Sequence, residues 1–152
     1  MIRLILPAII LASNATAQDR GLCRNVPYSE ENCVRVLACI GDRGVFFDGN
    51  ARGWDTGTVA GQMSDGTRCT GTWTAGGPLG TGIAQMSYSD GAVVDVVYYS
   101  QDSITGTVIG EGKDNLGRRI QVWSGENVLQ FLTGDGAYGP ALPCIKGDIP
   151  IS

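Results

Sequence analysis

Thr56-Gly57-Thr58-Val59-Ala60-Gly61-Gln62-Met63-Ser64-Asp65-Gly66-Thr67-Arg68-Cys69-Thr70-Gly71-Thr72-Trp73 reads as one β-hairpin, two runs of β-branched and small residues joined at Ser-Asp-Gly. Asp-Gly between β-forming runs is a strong short-range hairpin signal, because a type I′ turn needs positive φ at both central residues. The pattern recurs twice. Gly80-Thr81-Gly82-Ile83 leads through Ser89-Asp90-Gly91 to Val93-Val94-Asp95-Val96-Val97-Tyr98. Thr105-Gly106-Thr107-Val108 leads through Asp114-Asn115-Leu116-Gly117 to Arg119-Ile120-Gln121-Val122-Trp123. Trp73, Tyr98 and Trp123 stand 25 residues apart, so residues 56–124 form an array of three hairpin repeats.

Working outward, Val45-Phe46-Phe47 is a short apolar strand that runs into a turn at Asp48-Gly49-Asn50. With the hairpins this makes seven strands in an antiparallel meander able to close toward a barrel. Upstream, residues 29–40 are predicted to be a helix. Ser29 is placed to cap it, Glu30 and Glu31 suit its first turn, and Val34, Leu37 and Ala38 share a face with Cys33 beside them. Gly41 ends it. Downstream, Ser124 is placed to cap a short helix over 125–133 carrying Val128, Leu129 and Leu132, and an irregular Gly- and Pro-containing tail occupies 134–152. The expected fold is therefore mainly β, with one helix at each end of the hairpin array.

Gly71-Thr72-Trp73, preceded by a glycine-rich hairpin, resembles the Gly-x-Trp core of MORN repeats, short β-hairpin units stacked into an elongated sheet. The resemblance spans Thr56 to Trp123. The second and third units carry Val96-Val97-Tyr98 and Gln121-Val122-Trp123 without the glycine, and the spacing exceeds that family's. It implies architecture and no functional residues.

Residues 1–17 have the layout of a secretory signal: Arg3 in a short basic start, apolar Leu4 to Ala12, and Ala15-Thr16-Ala17 where signal peptidase reads small residues. A membrane anchor is the rival reading, but nine apolar residues containing Pro7 fall short of the ~20 a spanning helix needs. Cys23 follows Arg20-Gly21-Leu22 and lacks the small residue that precedes a lipidated cysteine. Residues 18–152 are expected to be one periplasmic or secreted domain without membrane insertion, long enough to bury a core.

Cys23, Cys33, Cys39, Cys69 and Cys144 would all enter an oxidising compartment, where two disulfides and one free thiol are the expectation. The pairing stays open on sequence grounds. A Cys39–Cys69 bridge is the one that would tie the N-terminal segment to the sheet. Structural zinc is the rival use of these cysteines, and the chain has no Cys-x-x-Cys pair and no histidine.

The absence of histidine also removes Ser-His-Asp and Cys-His catalysis. No phosphate loop or dinucleotide fingerprint occurs, and no cofactor is expected; the glycines punctuate hairpins, Gly110-Glu111-Gly112 included. A formal charge of −4, with Arg118-Arg119 as the only adjacent basic pair, argues against nucleic-acid binding. Fifteen acidic residues leave a carboxylate-pair hydrolase as an alternative. The aromatic ladder has two readings: core anchors buried between sheet and helices, or an exposed stacking platform. Trp54, set between Gly53 and Asp55 in an expected loop, is the better exposed binding aromatic, with Asp55, Arg52 and Asp48 as its polar rim. The function these features favour is non-catalytic binding of a protein partner or envelope glycan, as an inhibitor or assembly factor. The alternatives are the carboxylate-dependent hydrolase and a structural envelope protein.

Overall fold

The computed structural model describes residues 22–129 and 142–145. Among the described residues eight strands follow one another: β1 Cys33–Ile40, β2 Val45–Trp54, β3 Thr56–Met63, β4 Arg68–Thr74, β5 Thr81–Tyr88, β6 Val93–Asp102, β7 Thr107–Asp114 and β8 Arg119–Gly125. Each pairs antiparallel with its sequence neighbours, and β1 pairs with β8 from Arg35↔Gly125 to Ile40↔Ile120, which closes the meander into a barrel. Closure leaves no free sheet edge. Period-2 alternation then divides every strand between lumen and outer surface.

Tight tips position the three central hairpins. Each has a three-residue loop ending in a glycine with positive φ: Gly66 at 94°, Gly91 at 89° and Gly117 at 82°. Only the glycine takes positive φ, so these are three-residue loops and not the two-residue I′ turns that Asp-Gly suggests. Aspartate supplies the other half of the turn chemistry. Asp65 accepts the Thr67 amide at 2.9 Å, and Asp90 accepts that of Ala92 at 2.9 Å. In the third tip Asp114 takes the role, accepting the amides of Leu116 and Arg118 at 3.0 and 2.9 Å.

The helix expected over 29–40 is instead a turn followed by β1. Ser29 does accept the Glu31 amide at 3.1 Å, and the Asn32 amide donates to the Ser29 carbonyl at 3.0 Å. The capping signal closes one turn and propagates no further. Val34, Val36 and Ile40 are β-branched, and almost every residue of Cys33–Ile40 is buried because both faces of β1 are covered. A strand buried on both faces loses its alternation, and in this segment Val34, Leu37 and Ala38 imitate helical spacing.

Asp48-Gly49-Asn50 is likewise not a turn. It lies inside β2, and the chain reverses at 41–44. Gly49 pairs with Gly61 of β3, and a Cβ added at either would meet the Phe47 ring, so this glycine provides close approach and not reversal. The helix expected over 125–133 is not supported either. Gly125 ends β8, only Val128 and Leu129 have helical geometry, and 130–133 lie outside the described residues. The expected signal segment and most of the expected tail also lie outside them.

Two cores result. The lumen holds Val36, Ala38, Ile40, Phe47, Val59, Met63, Cys69, Tyr88, Val94, Val96 and Ile120. A second cluster sits on the outer face of β1 and β8, where Leu37, Cys39 and Trp123 meet Val128 and Leu142. Cys39–Cys144 fastens that covering segment to β1, and Cys23–Cys33 fastens the N-terminal stretch. Cys69 is the free cysteine. The Cys39–Cys69 bridge cannot form, because Cys39 points outward from β1 while Cys69 points into the lumen from β4.

The aromatic ladder divides between these cores. Trp73 and Tyr98 come seven residues after their tip glycines, Gly66 and Gly91, and face the lumen. The third tip glycine follows the second by 26 residues, and the β6–β7 register slips by one between Ser100 and Asp102. Ser124 therefore occupies the third equivalent position, and Trp123, one residue out of step, is turned to the outer face.

Candidate functional site

Alternation along β2 brings Asp48, Arg52 and Trp54 onto its outer face, and Asp55 forms the corner into β3 with φ 62°. Neighbours occupy much of this group. Arg35 grips the Asp48 carboxylate with two bonds, Nε–Oδ1 at 2.9 Å and NH2–Oδ2 at 2.5 Å. The Trp54 ring is half-buried and lies 4.8 Å from that of Tyr28, tilted by 45°. The Asp55 carbonyl accepts the Ala75 amide at 2.6 Å. The Arg52 carbonyl accepts the Trp73 indole N–H at 3.1 Å. Much of this strip braces the N-terminal segment and the β4–β5 loop against the barrel.

The lumen has a different character. A cavity of about 120 Å³ runs along it, lined by side chains from all eight strands and almost wholly by carbon. An eight-stranded barrel is wide enough either to be filled by its side chains or to hold one small ligand, and the choice falls to those side chains. Here glycines on the inner wall leave space open. Gly57 lies opposite Trp73, Gly82 opposite Tyr98, and Gly49 and Gly61 opposite each other under the Phe47 ring. The rings of Phe47, Trp73 and Tyr98 each lie against a glycine of the wall.

The two ends of the lumen differ. At the hairpin-tip end, Ile40, Met63, Cys69, Tyr88 and Ile120 are buried. Below them the Asp114 side chain, 0% exposed, accepts Arg118 Nε at 2.6 Å. Arg118 also reaches Asp90 at 3.3 Å and lies 5.6 Å from the centre of the Tyr88 ring, so an ion pair and a cation–π contact make a floor. At the opposite end Ala51, Trp73, Ala84, Tyr98, Val108 and Val122 are only half-buried, and access to the cavity lies there.

Burial controls the ionisable groups of the lumen. It pushes the Cys69 thiol up to about 12, with Asp90 and Asp65 adding to the effect, and the Tyr98 hydroxyl up to about 12. Both remain protonated at neutral pH. The Cys69 thiol is thus a small apolar surface and not a nucleophile. The Tyr98 hydroxyl oxygen is buried without a hydrogen-bond partner.

Among the described residues no three His, Cys, Asp or Glu side chains converge as metal ligands. Among the described residues no carboxylate lines the cavity, and Asp114, at its floor, is committed to Arg118 and two tip amides. On the outside, a shallow groove of about 730 Å³ crosses β4 to β7 along Thr72, Gln85, Asp95 and Lys113. No helix of the described residues is long and apolar enough to cross a membrane. The two disulfides are compatible with a periplasmic or extracellular setting. The lumen is not legible in the sequence because a void belongs to no residue; its signal is the glycine paired across the hairpin with Trp73 and with Tyr98.

No protein-family model matches the chain, and no curated protein matches it. Two solved structures are similar to it: a redesigned beta barrel, mFAP0, bound to DFHBI, and a second, mFAP1, bound to the same compound. Each is 18% identical with a TM-score of 0.49, over 63% of this chain and 97% and 94% of theirs.

Proposed function

We propose that the protein is a non-catalytic binding barrel of the periplasm or extracellular space that takes a small, uncharged, apolar molecule into its lumen. The observation that carries this reading is the carbon-lined cavity of about 120 Å³, open toward one end and closed by an ion pair at the other. Apolar cavities near 150 Å³ stay dry and accept single-ring compounds, so a ligand of about that size suits the space. Binding would be driven by removal of apolar surface from water, with a negative heat-capacity change as its marker.

Calorimetric titration with ethynylbenzene tests it. Binding should be saturable in the wild type and lost in Ala84→Trp, which fills the lumen from β5 while circular dichroism remains that of a β-barrel. A wild type that takes up no single-ring probe at its solubility limit removes the proposal.

A second reading, recognition of an envelope glycan, is favoured by the outer groove, whose hydroxyl, amide and charged side chains suit sugar hydroxyls. Binding on a glycan array that Asp95→Ala weakens and Ala84→Trp leaves intact would place the ligand there.

A further inference from the structure

The Tyr98 side chain is set apart from the other polar groups of the lumen. The Trp73 indole N–H is donated to the Arg52 carbonyl, and the Cys69 thiol faces the Thr67 carbonyl at 3.8 Å. The Tyr98 hydroxyl has burial and no partner. A buried hydroxyl without a partner has given up its hydrogen bonds to water and gained none from the protein. Its cross-strand neighbours are Gly82 on β5 and Gly110 on β7, so no side chain on either neighbour pins the ring against the wall. The ring can tilt toward the axis, and the hydroxyl then meets whatever fills the cavity. It retains its proton to about pH 12, so it is available as a donor. A charged ligand would lose its hydration in a carbon-lined lumen whose floor charges, Arg118 and Asp114, are already paired with each other, which excludes it on desolvation grounds.

We propose that the lumen selects an uncharged single-ring compound bearing a hydrogen-bond acceptor, such as a nitrile or carbonyl, and that Tyr98 Oη donates to that acceptor. This rests on the lumen-binding reading above and adds a chemical class to it. The ring over Gly82 is the resting position. A ligand that offers an acceptor draws the hydroxyl off the wall and gives it the partner it lacks.

Benzonitrile and ethynylbenzene have nearly the same shape, and only the nitrile is a good acceptor. Both are titrated calorimetrically into the wild type, Tyr98→Phe and Gly82→Ala. The wild type should bind benzonitrile about 3- to 10-fold tighter. Tyr98→Phe, which removes one oxygen and folds as the wild type by circular dichroism, should bind ethynylbenzene at least as tightly as benzonitrile. A Cβ at Gly82 would overlap the Tyr98 ring and push it off the wall toward the position it takes with an acceptor, so Gly82→Ala should weaken ethynylbenzene, which only loses space, more than benzonitrile. Equal affinities in the wild type, or a nitrile preference that survives Tyr98→Phe, overturns the role of Tyr98 while leaving the lumen reading standing. Unchanged affinities in a folded Gly82→Ala overturn the placement of the ring. If neither probe binds the wild type, the lumen reading falls and this proposal falls with it.

Discussion

Replacing Asp114 with alanine should unfasten the floor of the barrel. The carboxylate is fully buried and accepts three hydrogen bonds: Leu116 N at 3.0 Å, Arg118 N at 2.9 Å and Arg118 Nε at 2.6 Å. All three bonds end on the ionised carboxylate and are charge-assisted, a class worth about 1.5–3 kcal/mol each. Removing one partner of a buried pair costs about 3–5 kcal/mol. The Arg118 side chain is 28% exposed and keeps its contact with Asp90, which screens part of the loss and moves the expectation to the lower end, about 3 kcal/mol. Against a typical total of about 5–15 kcal/mol this is a large fraction. Asp114→Asn keeps an oxygen for the two tip amides and surrenders only the ionic part, so it should lose about 1–2 kcal/mol. Urea unfolding followed by tryptophan fluorescence measures both, provided the slopes match the wild type. A loss under about 1 kcal/mol for Asp114→Ala, or equal losses for the two variants, would refute the floor as described.

Trp73→Ala should cost about 3–5 kcal/mol by emptying a large site on the lumen wall, and a urea midpoint within error of the wild type would count against its inward placement. Non-reducing alkylation of denatured protein should label Cys69 alone, and native protein should react far more slowly, because the thiol is 1% exposed and holds its proton. The same burial makes stability depend on alkaline pH. Cys69 has a folded pKa raised from 9.0 to about 12 and is neutral when protonated, so its contribution is complete below pH 9 and is lost as pH rises toward 12. Wild type should lose about 1–2 kcal/mol more than Cys69→Ala between pH 8 and pH 10.5, and parallel losses in urea melts would contradict this. Breaking Cys39–Cys144 through Cys144→Ser should cost about 2–5 kcal/mol, since the bridge closes a separation of 105 residues; thermal melts indifferent to this change would show that Val128 and Leu142 hold the covering segment unaided.

What the sequence by itself determined is the local grammar of the barrel. Gly66, Gly91 and Gly117 and the aspartates beside them specify tips through φ and side-chain-to-amide bonds that span only a few residues, and the hairpins follow. The count of cysteines determined that one would be left over. Questions of side and partner were decided elsewhere. The 25-residue spacing made Trp123 look equivalent to Trp73 and Tyr98, yet one extra residue before the third tip turned it outward, because a strand's faces alternate with period two and parity is set by register. Cys33–Ile40 became a strand only because β2 and β8 were there to pair with it and Leu142 and Val128 to cover its outer face, contacts made far along the chain. Disulfide partners required knowing which cysteines face in and which face out. Trp54 met Tyr28 and Asp48 met Arg35 for the same reason. The cavity is the furthest from the sequence: it exists where eight strands close and rings lie over glycines on neighbouring strands, and no single segment encodes a volume that all eight enclose.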